Sequence, residues 1–359
     1  MYRNLRILQV LPALNFGGVE TETLIIAKAI VENGDMSFVA SQGGVQVSKL
    51  EANGSQHITL PLNTKNPIQM LINAFSIIMV ISKLSIDIIH VRSRRPAWSV
   101  YLASLLTRTP FITTMHGAHK SQNWFKNFFN SVMVRGCKVI AISKFIRQYI
   151  LDNYQDVVKH ENIIVINRGI DLDKFKPKVR KEGDIFKILL PARYSRIKGH
   201  DVAIKAMTYL DNVQMICTGP IGVKKDYYQQ LQKLVQTTDT KDKVQLLEDS
   251  HDIPQLMSEC DLVICPSIVP EAFGRTIAEA GAMGIPVVAS NIGAPGEILI
   301  DGVTGFLVEP NNPQALAAAI NNARQPLDMV KARKNIEQHY SLQNMCASTL
   351  KLYQEVING

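Results

Sequence analysis

Two glutamates eight positions apart, Glu271 and Glu279, stand in the stretch PEAFGRTIAEAGAMGIPVVAS (270–290). The preceding LVICPS (262–267) reads as a buried strand, IVPEAFG as a loop, and GRTIAEAGAM as a helix beginning near Gly274. That spacing sets Glu271 at the helix N-terminus, where the amides of Phe273, Gly274 and Arg275 are free to hold sugar hydroxyls or phosphate oxygens. Glu279 falls about one and a half turns further on, sharing a face with Arg275 and Thr276. A carboxylate accepts two hydroxyls at once, so it suits a vicinal diol such as a ribose. Taken singly, each glutamate fits a structural role as well as a ligand.

Cations follow another strand. KILLPAR (187–193) leads into Tyr194-Ser195-Arg196-Ile197-Lys198-Gly199, so Arg193 and Lys198 flank a loop at a strand's carboxyl end. Such a pair neutralises a diphosphate, the arginine by directed hydrogen bonds and the lysine as a point charge. Arg196 reads better as a solvated surface charge. Near the start, Asn15-Phe16-Gly17-Gly18-Val19-Glu20 opens a helix, and the paired glycines let a phosphate approach its N-terminal amides. A tight strand-to-helix turn accounts for them equally.

Three further features carry less. Thr113-Thr114-Met115-His116-Gly117 ends a strand, although a lone histidine there is more often a packed core residue. His119 gives it an H-x-x-H partner, but no third ligand accompanies them and no metal is expected. The loop Arg92-Ser93-Arg94-Arg95 also follows a strand; Arg92, Arg94 and Arg95 read as holding an acceptor phosphate or carboxylate, with ordinary packing nearly as good a reading. Asp171-Leu172-Asp173 has the D-x-D spacing of a metal site but falls at a linker, where capping explains it.

The elements that must position these residues alternate throughout. RILQVL (6–11), FVAS (38–41), IDIIHV (86–91), FITTMHG (111–117), KVIAIS (138–143) and IIVINRG (163–169) read as buried strands with helices between them. The charged stretch 171–187 reads as a linker, and the same rhythm restarts with six more strands from residue 187. Two doubly wound α/β domains follow, with ligands expected at the carboxyl ends of the strands and in a cleft between facing domains. The most apolar stretch, 70–84, is shorter than a membrane span and reads as a buried helix.

Composition narrows the function classes. The chain of 359 residues is 46% hydrophobic and 19% charged, enough for two cores. Its five cysteines show no C-x-x-C spacing, which implies reduced thiols and a cytoplasmic chain without a secretory signal. The net charge of +8 lies wholly in residues 1–175, which hold 19 Lys+Arg against 11 Asp+Glu; residues 176–359 balance at 20 and 20. A basic half suggests an anionic partner, but no aromatic–basic platform points to nucleic acid. Within 119–138, Trp124, Phe125, Phe128 and Phe129 alternate with Lys126 and Arg135, a pattern that fits an anionic membrane surface or a core face.

Taken in order, these segments resemble the family-4 retaining glycosyltransferases of the GT-B fold. The resemblance rests on E-A-F-G-R-T-I-A-E-A-G after C-P-S, the early G-G-V-E, H-V-R-S-R-R-P-A-W, T-M-H-G, A-I-S-K, N-R-G-I-D-L-D-K-F-K-P, A-R-Y-S-R-I-K-G and the late G-A-P-G-E-I-L-I-D-G-V-T-G-F-L-V-E-P. It implies two Rossmann-like domains facing across a cleft: 1–175 on the acceptor side, 176–340 on the donor side, and a C-terminal helix in 341–359 packing back on the first. It implies that Arg193 and Lys198 bind the donor diphosphate, that Glu271 lies against the transferred sugar, and that Glu279 holds the ribose. Phe273, Gly274, Arg275 and Thr276 would line the donor, Gly17 and Gly18 would approach its diphosphate, and His116 would lie near the reacting carbon. The expected activity is transfer of a hexose-type sugar from a UDP- or GDP-sugar to a hydroxyl on a glycan or lipid-linked acceptor of the bacterial envelope, such as a lipopolysaccharide core, without metal or cofactor. A sugar-nucleotide epimerase of the same fold and a non-catalytic sugar-nucleotide-binding subunit remain as alternatives. Release of nucleotide and altered sugar without acceptor marks the first; activity only with a partner subunit marks the second.

Overall fold

The computed structural model describes residues 4–118, 123–178, 183–221, 225–248 and 252–359. It divides into two compact units, one of Met1–Asn167 with Met345–Gly359 and the other of Arg168–Asn344.

Among the described residues the first unit holds seven strands: β1 (Arg6–Val10), β2 (Met36–Ser41), β3 (Gln56–Thr59), β4 (Ile88–Val91), β5 (Phe111–Met115), β6 (Lys138–Ala141) and β7 (Ile163–Val165). Its helices are α1 (Gly18–Glu32), α2 (Val47–Ala52), α3 (Pro67–Leu84), α4 (Arg94–Thr107), α5 (Trp124–Ser131) and α6 (Lys144–Tyr154). All strands pair in parallel, in the order β3-β2-β1-β4-β5-β6-β7. Strands covered by helices on both faces read as continuous apolar runs, which is why Ile7, Leu8, Val10, Ile88, Ile89 and Val91 are all buried.

The second unit repeats this order as β10-β9-β8-β11-β12-β13. Its strands are β8 (Phe186–Pro191), β9 (Val213–Gly219), β10 (Val244–Glu248), β11 (Leu262–Cys265), β12 (Val287–Ser290) and β13 (Gly305–Val308). Around them lie α7 (His200–Ala206), α8 (Lys225–Thr237), α9 (Ile253–Ser258), α10 (Arg275–Ala282), α11 (Pro295–Ile298), α12 (Pro313–Asn322) and α13 (Met329–His339). In both sheets the winding direction reverses between the first strand and the fourth, β1 and β4 or β8 and β11. That is the switch point at which open α/β sheets bind ligands.

The last helix, α14 (Leu342–Asn358), contributes its residues from Met345 onward to the first unit. There the buried Tyr353 hydroxyl meets His90 Nδ1 at 2.6 Å.

Four details depart from the sequence reading. Strand β3 was not expected: QHIT is short and polar, and as an edge strand it needs no continuous apolar run. Residues 168–175 belong to the second unit, because Ile170 bridges Ser341 and the Phe175 carbonyl accepts from Arg333 Nη1 at 2.9 Å. Of the helix expected across 119–138, residues 119–122 lie outside the described residues; α5 is begun by Asn123 Oδ1 accepting from Phe125 N at 2.9 Å and is followed by a 3-10 turn at Val132–Val134. Finally, α3 is not a buried helix. Met70, Asn73, Ala74, Ile77 and Ile81 face the core, whereas Ile68, Leu71, Ile72, Phe75 and Met79 are exposed. Composition made both faces apolar; only the packing decides which one is covered.

Candidate functional site

In the second unit, three loops meet at the carboxyl edge beside the switch point. After β8, a 3-10 turn at Arg196–Lys198 carries the lysine, and Gly199 follows with φ 69°. A Cβ on Gly199 would lie 1.9 Å from the Pro266 carbonyl oxygen, so only glycine lets this turn rest on the end of β11. The close approach delivers Lys198 Nζ to Glu271 Oε1, the same oxygen that accepts from Ser267 Oγ.

The Glu271 backbone is fixed from a third loop, after β12. Its amide donates to Ile292 O at 3.2 Å and its carbonyl accepts from Ala294 N at 2.9 Å. Gly293 lies between them at φ 89°, where a Cβ would stand 2.4 Å from the Glu271 carbonyl oxygen. The loops after β8, β11 and β12 thus hold one carboxylate and one ammonium together, with side-chain exposures of 22% and 29%. A ligand can reach both.

Arg193, on the same loop after β8, is exposed. Nearby, Ser195 Oγ and Thr218 Oγ1 are buried without a hydrogen-bond partner, an arrangement that favours a polar ligand. Burial holds His200, behind the turn, at about 4, so it is neutral at physiological pH while its Nε2 faces Ala192 O at 3.3 Å.

Helix α10 begins at Gly274 in the left-handed region, φ 94°, whose carbonyl accepts from Ile277 N and Ala278 N at 3.0 and 3.2 Å. The amides of Arg275 and Thr276 precede those donors and lie outside the intrahelical ladder. Phe273 is buried against Tyr340, ring centroids 5.9 Å apart, which anchors the turn. Glu279 is buried and accepts from Arg275 Nε at 2.7 Å. Burial raises its carboxyl above the ordinary range, against the opposing pull of Arg275 and Lys174. The two carboxylates thus have different partners, Glu271 a lysine and Glu279 an arginine.

In the first unit, Gly17 caps α1 without a side-chain hydrogen bond, and Glu20 from the first turn folds against it. The loop after β2 braces this turn. Leu14 N donates to Gly43 O at 2.8 Å, Gln46 N to Leu14 O at 3.0 Å, and the Gln46 side-chain amide to Asn15 O. His116 is half-buried at the end of β5. Below it runs a buried polar network in which His90 Nε2 meets Thr114 Oγ1 at 2.7 Å and Arg92 Nη2 donates to Glu22 Oε1 at 2.6 Å. Burial, then the Arg92 charge, then His116 keep His90 well below its ordinary pKa.

The network corrects one expectation. Arg92 is 1% exposed and committed to Glu22, so it is not a solvent-facing acceptor ligand. Arg94 Nη1 donates to Asn130 Oδ1 at 2.6 Å, and Arg95 is exposed. His119 lies outside the described residues. Asp171 Oδ1 accepts from Asp173 N and Lys174 N at 3.1 and 3.0 Å, which is capping. The sequence reading overlooked Ser267, Gly199, Gly293, the Gly43–Gly44 brace and Glu22. The signals were the C-P-S end of β11 and glycines just after strands; Glu22 carried none.

Two family models match, Glycosyltransferase Family 4 over residues 16–174 and Glycosyl transferases group 1 over 171–338. A glycosyltransferase from Rickettsia africae is 36% identical and superposes with a TM-score of 0.91 over 99% of each chain. The Anabaena HepE structure in complex with UDP-glucose is 25% identical, with a TM-score of 0.80 over 97% of this chain and all of that one. An uncharacterised glycosyltransferase of Methanocaldococcus jannaschii is 28% identical over 302 residues, 80% of this chain and 81% of its own.

Proposed function

Because the chain belongs to the family-4, group-1 glycosyltransferases of the GT-B fold, we propose that it moves a hexose-type sugar from a nucleotide diphosphate sugar to a hydroxyl acceptor with retention of configuration. The observation that carries this reading is the Lys198–Glu271–Ser267 cluster at the strand ends of the second unit. UDP-glucose in HepE supports a UDP-sugar as donor.

In this proposal Lys198 and Arg193 stabilise charge on the departing diphosphate, the role a metal plays elsewhere, and no metal or cofactor takes part. Lys198 exchanges Glu271 for phosphate when donor binds. Glu271 is released toward a sugar hydroxyl while Ser267 keeps it oriented. The amides at the start of α10 receive phosphate or sugar oxygens, and Glu279, paired with Arg275, accepts the ribose hydroxyls. By the family resemblance we also assign Gly17 and Gly18 to the diphosphate and His116 to the transferred sugar. The departing diphosphate oxygen accepts the acceptor's proton as the new glycosidic bond forms on the same face. We place the reaction in the cytoplasm, at the inner face of the membrane, on an envelope glycan or lipid-linked acceptor such as lipopolysaccharide; the basic first half supports this.

Thermal shift over UDP-, GDP- and ADP-sugars tests the donor assignment. One nucleotide series should raise the melting temperature, and Glu279→Ala should remove most of that rise without changing the apo value. Transfer unaffected by Glu271→Ala and Glu279→Ala would sink the site assignment. Altered free sugar released without acceptor would sink the transferase reading.

A further inference from the structure

We propose that the outer face of the α3–α4–α5 layer docks on an anionic lipid bilayer. The proposal deepens the reading of a lipid-linked acceptor and rests on it for its purpose, not for its geometry.

The connections from β3 to β4, β4 to β5 and β5 to β6 all step the same way across the sheet, whereas those carrying α1 and α2 step the other way. Right-handed crossovers therefore put α3, α4 and α5 side by side on one face. Their packing agrees: Ser99 Oγ on α4 donates to Met70 O on α3 at 2.9 Å, and Trp98 on α4 lies 5.3 Å from the Phe128 ring on α5.

The outside of this layer is apolar where a water-facing helix should be polar. On α3 the residues Ile68, Leu71, Ile72, Phe75 and Met79 form a stripe at helical spacing, with Phe75 66% exposed. On α5, Trp124, Phe125 and Phe128 are exposed, Phe125 by 75%. Leu105 and Leu106 add to it from the end of α4. A patch built from three adjacent helices calls for an apolar partner.

Charge selects that partner. The helices α3, α4 and α5 carry Lys83, Arg94, Arg95 and Lys126 and no acidic residue, with Lys65 and Arg108 at their ends. Lys65 and Lys83 bracket the α3 stripe, and Lys126 lies among the α5 aromatics. An anionic bilayer satisfies both the apolar face and its basic surround. A second copy related by a two-fold axis would set this basic layer against itself.

Helix α3 passes by length and composition as a membrane span, but its inner stripe is committed to the fold and Asn73 Nδ2 donates to Pro61 O at 2.9 Å. It lies on the bilayer rather than crossing it. On α3 the exposed residues concentrate in the first half, at Ile68, Leu71, Ile72 and Phe75, so this end of the docking face lies toward the carboxyl edge of the strands.

Cosedimentation with phosphatidylcholine vesicles, with and without phosphatidylglycerol, tests this without donor or acceptor. The full chain should bind only the anionic vesicles, and more weakly as salt rises. Leu71→Gln with Phe75→Gln should lower partitioning about tenfold or more at unchanged melting temperature. Lys65→Glu with Lys126→Glu should lower it on anionic vesicles by a similar factor. No vesicle binding, or binding untouched by both double variants, overturns the proposal. So does a concentration-dependent dimer in sedimentation velocity that Leu71→Gln/Phe75→Gln abolishes. A chain that binds vesicles but shifts with no sugar nucleotide keeps the docking face and loses the transferase reading.

Discussion

Each unit sets a basic side chain against a glutamate near its switch point, and the two pairs are built for opposite ends. Arg92–Glu22 is sealed, with 1% and 10% of its side chains exposed. Lys198–Glu271 is open to about a quarter of its surface and shares its carboxylate with Ser267. A buried pair is costly to break because the survivor is left as an unpaired charge away from water. A partly exposed pair loses less when opened, so its partners can be exchanged for a ligand. In sequence both cations are simply basic residues after a strand.

The contrast breaks first at Glu22. Glu22→Ala should destabilise the chain by about 3–5 kcal/mol in urea unfolding, because Arg92 stays buried without its carboxylate. A loss below about 1 kcal/mol would mean that the first pair is as replaceable as the second.

Lys198→Ala should do the reverse. Stability should change by less than about 1 kcal/mol. Turnover should fall about 10²–10³-fold, the size expected for removing one stabiliser of a developing negative charge. Should unfolding and turnover suffer together, Lys198 is structural and the distinction between the pairs disappears.

The smallest separation of the units is by acid. His200 in the second unit is held at about 4 and His90 in the first well below its ordinary value, both chiefly by burial. A histidine with a depressed folded pKa binds fewer protons folded than unfolded. Stability is then retained above about 6.5 and lost as pH falls from there toward 4. For His200 that loss amounts to about 3 kcal/mol. Unfolding of His200→Gln across this range should show a shallower fall with the His90 part remaining; an unchanged slope would mean that His200 contributes none of the acid sensitivity.

Much of this was legible in residue order. Buried parallel strands leave apolar runs, so among the described residues twelve of the thirteen strands could be read directly, and the polar edge strand β3 could not. Glu271, Glu279, Arg193 and Lys198 were found because strand ends in doubly wound sheets are where side chains meet ligands. What failed depended on distant partners. Arg92 looked like its neighbours Arg94 and Arg95 until Glu22, seventy residues earlier, closed on it. Helix α3 looked like a core helix because apolar residues surround it, and hydropathy does not say which side is covered. Gly199 and Gly293 were visible as letters, but their purpose appears only with the carbonyls of Pro266 and Glu271 lying where a Cβ would be.

The placement of α14 has a consequence for how the chain is made. The seven-stranded half is translated first, yet residues 345–359 emerge only after the whole second unit has left the ribosome. Until then His90 lacks the Tyr353 hydroxyl that bonds it, and the half that is begun first is completed last.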